Sequence, residues 1–463
     1  MRRYSLTILE EDYAELRRTL AASAGVENGA YLLCRQARTP TETKLLVREV
    51  ISIEAEHILE ASPVHMKIAS PSYRRAMKRA DEHKCGFVFV HTHPNSNEPH
   101  SPQDDREEAP LFRTAYVRIH NDAVHASLVF NDHGVSAARV WLLDGSTQPI
   151  ERVRVVGKRF RFWFPNQNDA VLPQFFDRQV RAFGPELQRL LGRLKIGIVG
   201  IGGTGSAVLE QLTRLGIGDL VISDGQTFEA SNVNRLYGSR TIDQDVSKVK
   251  IGQRVVADIG LRTGLTIVDR PVTYRSALAA FRECDIIFGC TDEEWGRSLL
   301  SRMSIYYGIP VFDVGVKIDS SGGHIRSIQG RVTTLLPGAA CLFCRGRITA
   351  ERIGIESQRA TDPAAAAERV REGYAPELED PAPAVIPFTT MVAASSVSEF
   401  LHRLTGFMGE DRDSTELLHL FDATSIRRNS KPPIAGCFCA PRASWMRGDV
   451  RPLLDTSWRA EER

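Results

Sequence analysis

The chain has 463 residues, long for one hydrophobic core, so two or three domains are expected. Hydrophobic residues make up 42% and charged residues 25%, as in ordinary soluble globular proteins, and 59 basic against 57 acidic side chains leave a net charge of +2. That balance excludes a field built for nucleic acid or for a membrane surface. Glu10, Glu11 and Asp12 follow the N-terminus before any apolar core forms, which argues against a secretory signal. No apolar run approaches the roughly 20 residues that span a bilayer. A cytoplasmic protein is the expectation.

Residues 1–150 read as a compact α/β unit. Glu11 to Ala22 has helical periodicity, and Gly29–Cys34 and Lys44–Ile53 read as strands. Pro71–His83 reads as a helix with Ser70 as its N-cap. Gly86–Val90 is a short apolar run, a buried strand that delivers His91 and His93 at its end. Ser101 and Pro102 open the next helix, with Asp104 in its first turn. Strands follow at Ala123–Phe130, Ser136–Leu143 and about Ile150–Val156. Residues 151–172 form a basic, aromatic connector, read as an amphipathic strand or interdomain packing. Residues 173–450 then take up βαβ grammar, with strands at Lys195–Val199, Leu220–Ser223, Asp285–Cys290 and Val311–Val314 and a helix at Ser206–Leu215. Residues 345–385 show little apolar pattern and read as a long loop, mobile or functional, and residues 451–463 as a frayed polar tail.

Two histidines at i and i+2 on a strand end point to the same side. Asp104 can fold back from the next helix, so His91, His93 and Asp104 make three zinc ligands with a fourth position open. A zinc ion with an open position lowers the pKa of its water to about 7. His91, His93, Pro94, Ser101 and Asp104 resemble, position for position, the signature of the JAMM (MPN/JAB) metalloproteases. The likeness covers about the first 145 residues. It implies a JAMM α/β fold, Glu27 as proton shuttle and Ser101 as donor to the oxyanion.

The second cluster lies on Gly200-Ile201-Gly202-Gly203-Thr204-Gly205, between a strand and a helix. Gly200, Gly202, Gly203 and Gly205 let the backbone approach a phosphate, and the helix N-terminus adds partial positive charge. Asp224, ending the next strand, is placed for a ribose hydroxyl. Asn232, Arg235, Lys250 and Asp292 decide for ATP: nucleotidyl transfer needs cations on the phosphates and a carboxylate for Mg²⁺. Lys248 is the neighbouring alternative to Lys250.

From about 173 to 440 the chain resembles the ubiquitin-activating enzymes in their bacterial form, the adenylyltransferases of molybdopterin and thiamine biosynthesis. The resemblance implies a Rossmann-like doubly wound ATP domain. It assigns Asp224 to ribose, Asn232 and Arg235 to phosphates, Lys250 to phosphate charge and Asp292 to Mg²⁺. Phe176-Asp177-Arg178-Gln179-Val180 matches a motif whose arginine reaches the neighbouring subunit's ATP site, which implies a homodimer with Arg178 in that role. Pro387–Gly406 resembles the small-residue helix beyond the family's substrate channel. Gln226 and Leu236 stand where the family usually has aspartate and glutamine.

Cys341, Cys344, Cys437 and Cys439 form two tight pairs, and four thiolates close a structural zinc tetrahedron. The family carries two pairs in these places, the second usually spaced C-x-x-C. Residues 345–385 hold no cysteine, and Cys34, Cys85, Cys284 and Cys290 lie on or beside strands as small core residues. The expected enzyme therefore stops at the acyl-adenylate or passes the acyl group to a partner's thiol.

Together these features predict a bifunctional enzyme using two zinc ions, ATP and Mg²⁺. It acts on the C-terminal glycine of a ubiquitin-like or sulfur-carrier protein, with a conjugating enzyme's cysteine as onward acceptor. One alternative is sulfur-carrier activation and processing in a cofactor or thio-metabolite pathway; another is a non-catalytic scaffold for ubiquitin-like partners.

Overall fold

The computed structural model describes residues 2–21, 25–94, 99–165, 171–371 and 383–461. The chain forms two compact units. None of the described helices is long and apolar enough to cross a membrane.

The first unit is built on a nine-stranded sheet. From edge to edge it runs Arg161–Trp163, Arg152–Val156, Arg3–Leu9, Glu42–Ser52, Gly29–Arg38, Gly86–Thr92, His125–Asn131, Gly134–Trp141 and Thr147–Pro149. Residues 151–172 thus carry two strands of this sheet. Gly86–Thr92 lies near its middle, antiparallel to Gly29–Arg38 and parallel to His125–Asn131. Its side chains alternate between the two faces of the sheet, and those of both faces are buried apart from the partly covered Phe89 and Thr92, which explains the unbroken apolar run. Helices Ser70–Glu82 and Pro102–Arg118 pack on it around Tyr31, Phe87, Phe112 and Trp141, with Phe112 stacked on Trp141 at 5.5 Å. The cap position before Ser70–Glu82 is Ala69 rather than Ser70, whose hydroxyl instead accepts from Arg74 at 2.9 Å. Ser101 caps Pro102–Arg118: its hydroxyl accepts from Asp104 N at 3.2 Å, and Asp104 Oδ2 accepts from Ser101 N at 2.5 Å.

The second unit has an eight-stranded sheet. Its order is Gly264–Val268, Asp219–Ser223, Lys195–Val199, Ile286–Gly289, Val311–Ser321, His324–Leu335, Glu416–Leu420 and Ser425–Asn429. The first five strands are parallel and the last pairs antiparallel. Sequence order reverses between Lys195–Val199 and Ile286–Gly289, the point where doubly wound sheets open a crevice at their carboxyl ends.

Two expectations are corrected here. The loop expected at residues 345–385 contains helices Ala350–Thr361 and Pro363–Arg371, while 372–382 lie outside the described residues. No residue of Ala350–Thr361 is buried, so the helix left no apolar stripe to read. It is held by polar contacts: Thr349 caps it, and Glu356 accepts from Trp295 N at 2.8 Å and Glu294 N at 3.1 Å. The tail beyond 450 is also anchored as far as Glu461. Arg459 N donates to Thr273 O at 3.1 Å, and Glu461 accepts from Ser276 N at 2.9 Å and Arg270 at 3.0 Å. Its polar composition is matched by polar partners. Residues 462–463, the rest of that expected tail, lie outside the described residues.

Candidate functional sites

In the first unit the sheet sets the ligands. His91 is the last residue but one of strand Gly86–Thr92, paired with Gly29 and Val129, and His93 N donates to Phe130 O at 2.9 Å. Asp104 enters from the first turn of Pro102–Arg118. Nε2 of His91 lies 3.2 Å from Nε2 of His93 and 3.2 Å from Asp104 Oδ1, and His93 Nε2 lies 3.5 Å from Asp104 Oδ2. Zinc bonds of about 2.0–2.1 Å give a tetrahedron with edges near 3.3 Å, so the donor set fits the ion. The Ser101–Asp104 capping box fixes the carboxylate that faces both imidazoles.

Glu27 is buried, with Oε1 3.8 Å from His93 Nε2 and its amide donating to Ser62 O at 2.8 Å. Burial pushes its carboxyl up, against the pull of His91 and His93. Burial also opposes ionisation of Asp104, but hydrogen bonds from the two histidines outweigh it and hold that carboxyl low. His100 donates to or accepts from Ser127 Oγ at 3.0 Å, and burial pushes its ring well down. Asp105 pairs with Arg139 at the surface. Glu108, 2% exposed, was not singled out from the sequence. It lies four residues after Asp104, on the same helix face, and that spacing was the available signal.

In the second unit the cradle is mostly backbone. Gly200 has φ +89°, and a Cβ there would meet Cys290 C and Thr291 N at 2.8 and 2.9 Å; one at Gly205 would lie 1.8 Å from Gly200 O. The loop therefore closes only with glycine at both positions. Helix Gly203–Leu215 starts without a side-chain cap, leaving first-turn amides available to an anion. Asp224 ties the loop to the second strand: Oδ2 accepts from Ile201 N at 2.7 Å and Oδ1 from Gln226 N at 2.8 Å. Burial raises its carboxyl.

The stem of Arg235 covers Gly203, 3.3–3.4 Å from where a Cβ would sit, and its guanidinium donates to Ser231 O at 2.5 Å. Asn232 is buried and accepts from Glu229 N at 3.3 Å, closing the turn that carries Arg235. Lys248 and Lys250 part company. Lys248 is buried, donates to Gln226 Oε1 at 2.6 Å and acts electrostatically on Asp224, whereas Lys250 is exposed. Asp292 is exposed at the carboxyl end of Ile286–Gly289, near enough for its charge to act on Asp224. Arg178 is exposed on helix Asp177–Phe183, away from the glycine loop in sequence.

The four cysteines meet. Cys341 to Cys437, Cys344 to Cys439 and Cys437 to Cys439 are each 3.6 Å between sulfurs, against about 3.8 Å for a tetrahedron with zinc–sulfur bonds near 2.3 Å. Ile434 N donates to Cys344 Sγ at 3.3 Å, a contact that suits a thiolate ligand. Cys34, Cys85 and Cys284 are buried, and burial pushes the Cys34, Cys85 and Cys290 thiols up.

These features define a two-part protein, a JAB-type unit with a metal-ligand cluster and a doubly wound α/β unit with a glycine-loop anion cradle. The chain belongs to the ThiF family, which it matches over residues 176–436; residues 9–132 match the prokaryotic homologs of the JAB domain. It is similar to ubiquitin-like modifier-activating enzyme 5 of Dictyostelium discoideum, 29% identical over 164 residues, 33% of this chain and 41% of that one. It is 28% identical over 163 residues to the SAMP-activating enzyme E1 of Haloferax volcanii, 35% of this chain and 56% of that one. The matches thus span about two fifths to just over half of these relatives. A solved structure of E. coli MccB with ATP shares 15% identity and a TM-score of 0.45, covering 58% of this chain and 75% of the other.

Proposed function

We infer that the second unit adenylates the C-terminal glycine carboxylate of a ubiquitin-like protein with MgATP. The first unit is a zinc-dependent peptidase or deconjugase for the same class of protein. The observation that carries the reading is the ThiF match over 176–436 on a chain whose other part gathers His91, His93 and Asp104 within 3.5 Å. The printed names of the relatives, as activating enzymes for protein modifiers, support the substrate class.

In adenylation a carboxylate oxygen of the carrier bonds to the α-phosphorus. The bond from that phosphorus to the bridging oxygen breaks, and pyrophosphate leaves with the electron pair. Asp224 orients the ribose, and the amides opening Gly203–Leu215 take phosphate oxygens. Arg235 and Lys248 offset phosphate charge, Lys248 displacing Lys250 from that role because it is the lysine turned toward Asp224. Asn232 holds the Arg235 turn, Asp292 holds Mg²⁺, and Arg178 serves the second copy of a homodimer.

Zinc at the other site supplies Lewis-acid polarisation and a water acidic enough to ionise near neutrality. Glu27 moves the proton beside His93, and Ser101 holds Asp104 in place and faces the oxyanion. Cys341, Cys344, Cys437 and Cys439 hold a second, closed zinc. The lack of cysteine in 345–385 supports transfer of the acyl group to a partner's thiol. The compartment is the cytoplasm.

The test is exchange of labelled pyrophosphate into ATP, expected only with a carrier ending in glycine. No carrier-dependent exchange would sink the adenylation reading. Mixing Arg178→Ala with Asp292→Ala chains should restore about a quarter of wild-type exchange, because only mixed dimers hold one complete site. No recovery would count against the homodimer. Mass spectrometry of the product separates an isopeptide from a thiocarboxylate.

A further inference from the structure

Behind the His91–His93–Asp104 cluster, two buried polar atoms face each other unpaired. His91 Nδ1 and Glu108 Oε1 lie 4.0 Å apart, and neither has a hydrogen-bond partner among the described residues. The other oxygen of Glu108 is fully committed. Its Oε2 accepts from Ser127 Oγ at 2.7 Å, Arg139 Nη2 at 2.6 Å and Nε at 3.0 Å, and Trp141 Nε1 at 2.9 Å. Those donors come from the sheet and lock the carboxylate so that Oε1 is left pointing toward His91. Two orphans in so dry a place are costly unless some state of the protein pairs them.

A histidine that binds a metal through one ring nitrogen carries its proton on the other, and that N–H commonly goes to a carboxylate. The geometry points to Glu108 as the positioning residue that makes His91 a ligand through Nε2. Glu108 Oε1 accepts the Nδ1 proton, which keeps the Nε2 lone pair free toward His93 and Asp104. This rests on the zinc reading of the cluster.

The same network makes Glu108→Gln a sharp test. The donors on Oε2 claim the amide oxygen of the glutamine, so its NH₂ group faces His91 Nδ1. Two donors cannot meet there, so the variant selects the tautomer protonated on Nε2 and takes the lone pair from the metal. Side-chain size is unchanged.

The full chain, stripped by chelator, is titrated with zinc against a fluorescent competitor, and total metal analysis counts the zinc held by the four cysteines. The wild type should bind a second, weaker zinc, and Glu108→Gln should bind it about 10- to 100-fold more weakly. Melting curves check that the variant folds. Should it unfold, Glu108→Asp keeps the charge against Arg139 and withdraws the carboxylate from His91, so it should shift affinity in the same direction. Long-range ¹⁵N spectra of the zinc-loaded wild type should show the His91 proton on Nδ1. Equal zinc affinity in wild type and Glu108→Gln, or a His91 proton on Nε2, overturns the inference while leaving the zinc site standing. A wild-type chain with no second zinc overturns both.

Discussion

The two candidate centres are prepared to different degrees. In the first unit the side chains already converge, with His91, His93, Asp104 and Glu27 linked by gaps of 3.2–3.8 Å. In the second unit the finished part is backbone, the Gly200–Gly205 turn pinned by Asp224, while Asp292, Lys250 and Arg178 stand exposed. The physical demand differs. A small ion tolerates ligand errors of a few tenths of an ångström, so its donors must be built in advance. A nucleotide brings its own charges and length, so a rigid anion cradle with long side chains around it is enough. The metal centre should therefore fail steeply at single atoms, and the nucleotide centre by degrees.

The steepest expected effect is in the first unit. Glu27→Gln and His93→Ala should each lower peptide cleavage by about 10²–10⁴-fold, read with a carrier extended beyond its glycine. Cleavage within tenfold of wild type in both would erase the contrast. Next comes the lysine pair. Lys248→Ala should cost about 10²-fold in pyrophosphate exchange, whereas Lys250→Ala should stay within about twofold. The reverse order would show that the buried amine is structural. Gly205→Ala should lower stability by about 1–3 kcal/mol, because its methyl meets Gly200 O, and should weaken ATP binding in calorimetry. A neutral result would mean that the turn can open.

The smallest effect concerns Glu293, whose carboxyl is raised by burial, with Arg459 opposing and Glu356, Asp292 and Asp224 adding to the shift. A carboxyl raised in the folded state costs stability above its folded pKa, and that cost fades as pH falls toward the unfolded value. Because the side chain is more than a third exposed and pairs with Arg459, the effect is small: Glu293→Gln should raise the melting temperature slightly at pH 8 and leave it unchanged near pH 4. A gain that grew at low pH would contradict the assigned sign.

What was legible in the sequence follows from the same contrast. His91, His93 and Asp104 could be read because strand alternation and a capped helix start fix their directions locally. The glycine loop could be read because backbone clearance leaves no other residue. Lys248 against Lys250 depends on helix phase. The two lie about 200° apart around the axis, and the buried set Lys248, Val249, Ile251, Gly252, Val255 and Val256 decides which faces inward. That pattern was in the sequence, but it is clear only once the helix start at Lys248 is known. Glu108 and the anchored residues Arg459 and Glu461 were harder. Their partners Arg139, Trp141, Thr273 and Ser276 lie far away in sequence, and polar pairing leaves no periodic trace.

The central claim is that two chemically separate centres share this chain. The most direct measurement is carrier-dependent pyrophosphate exchange by the folded Glu27→Gln chain. Exchange at the wild-type rate, beside lost cleavage, is the predicted result. Exchange that falls together with cleavage while the melting curve stays unchanged would contradict it.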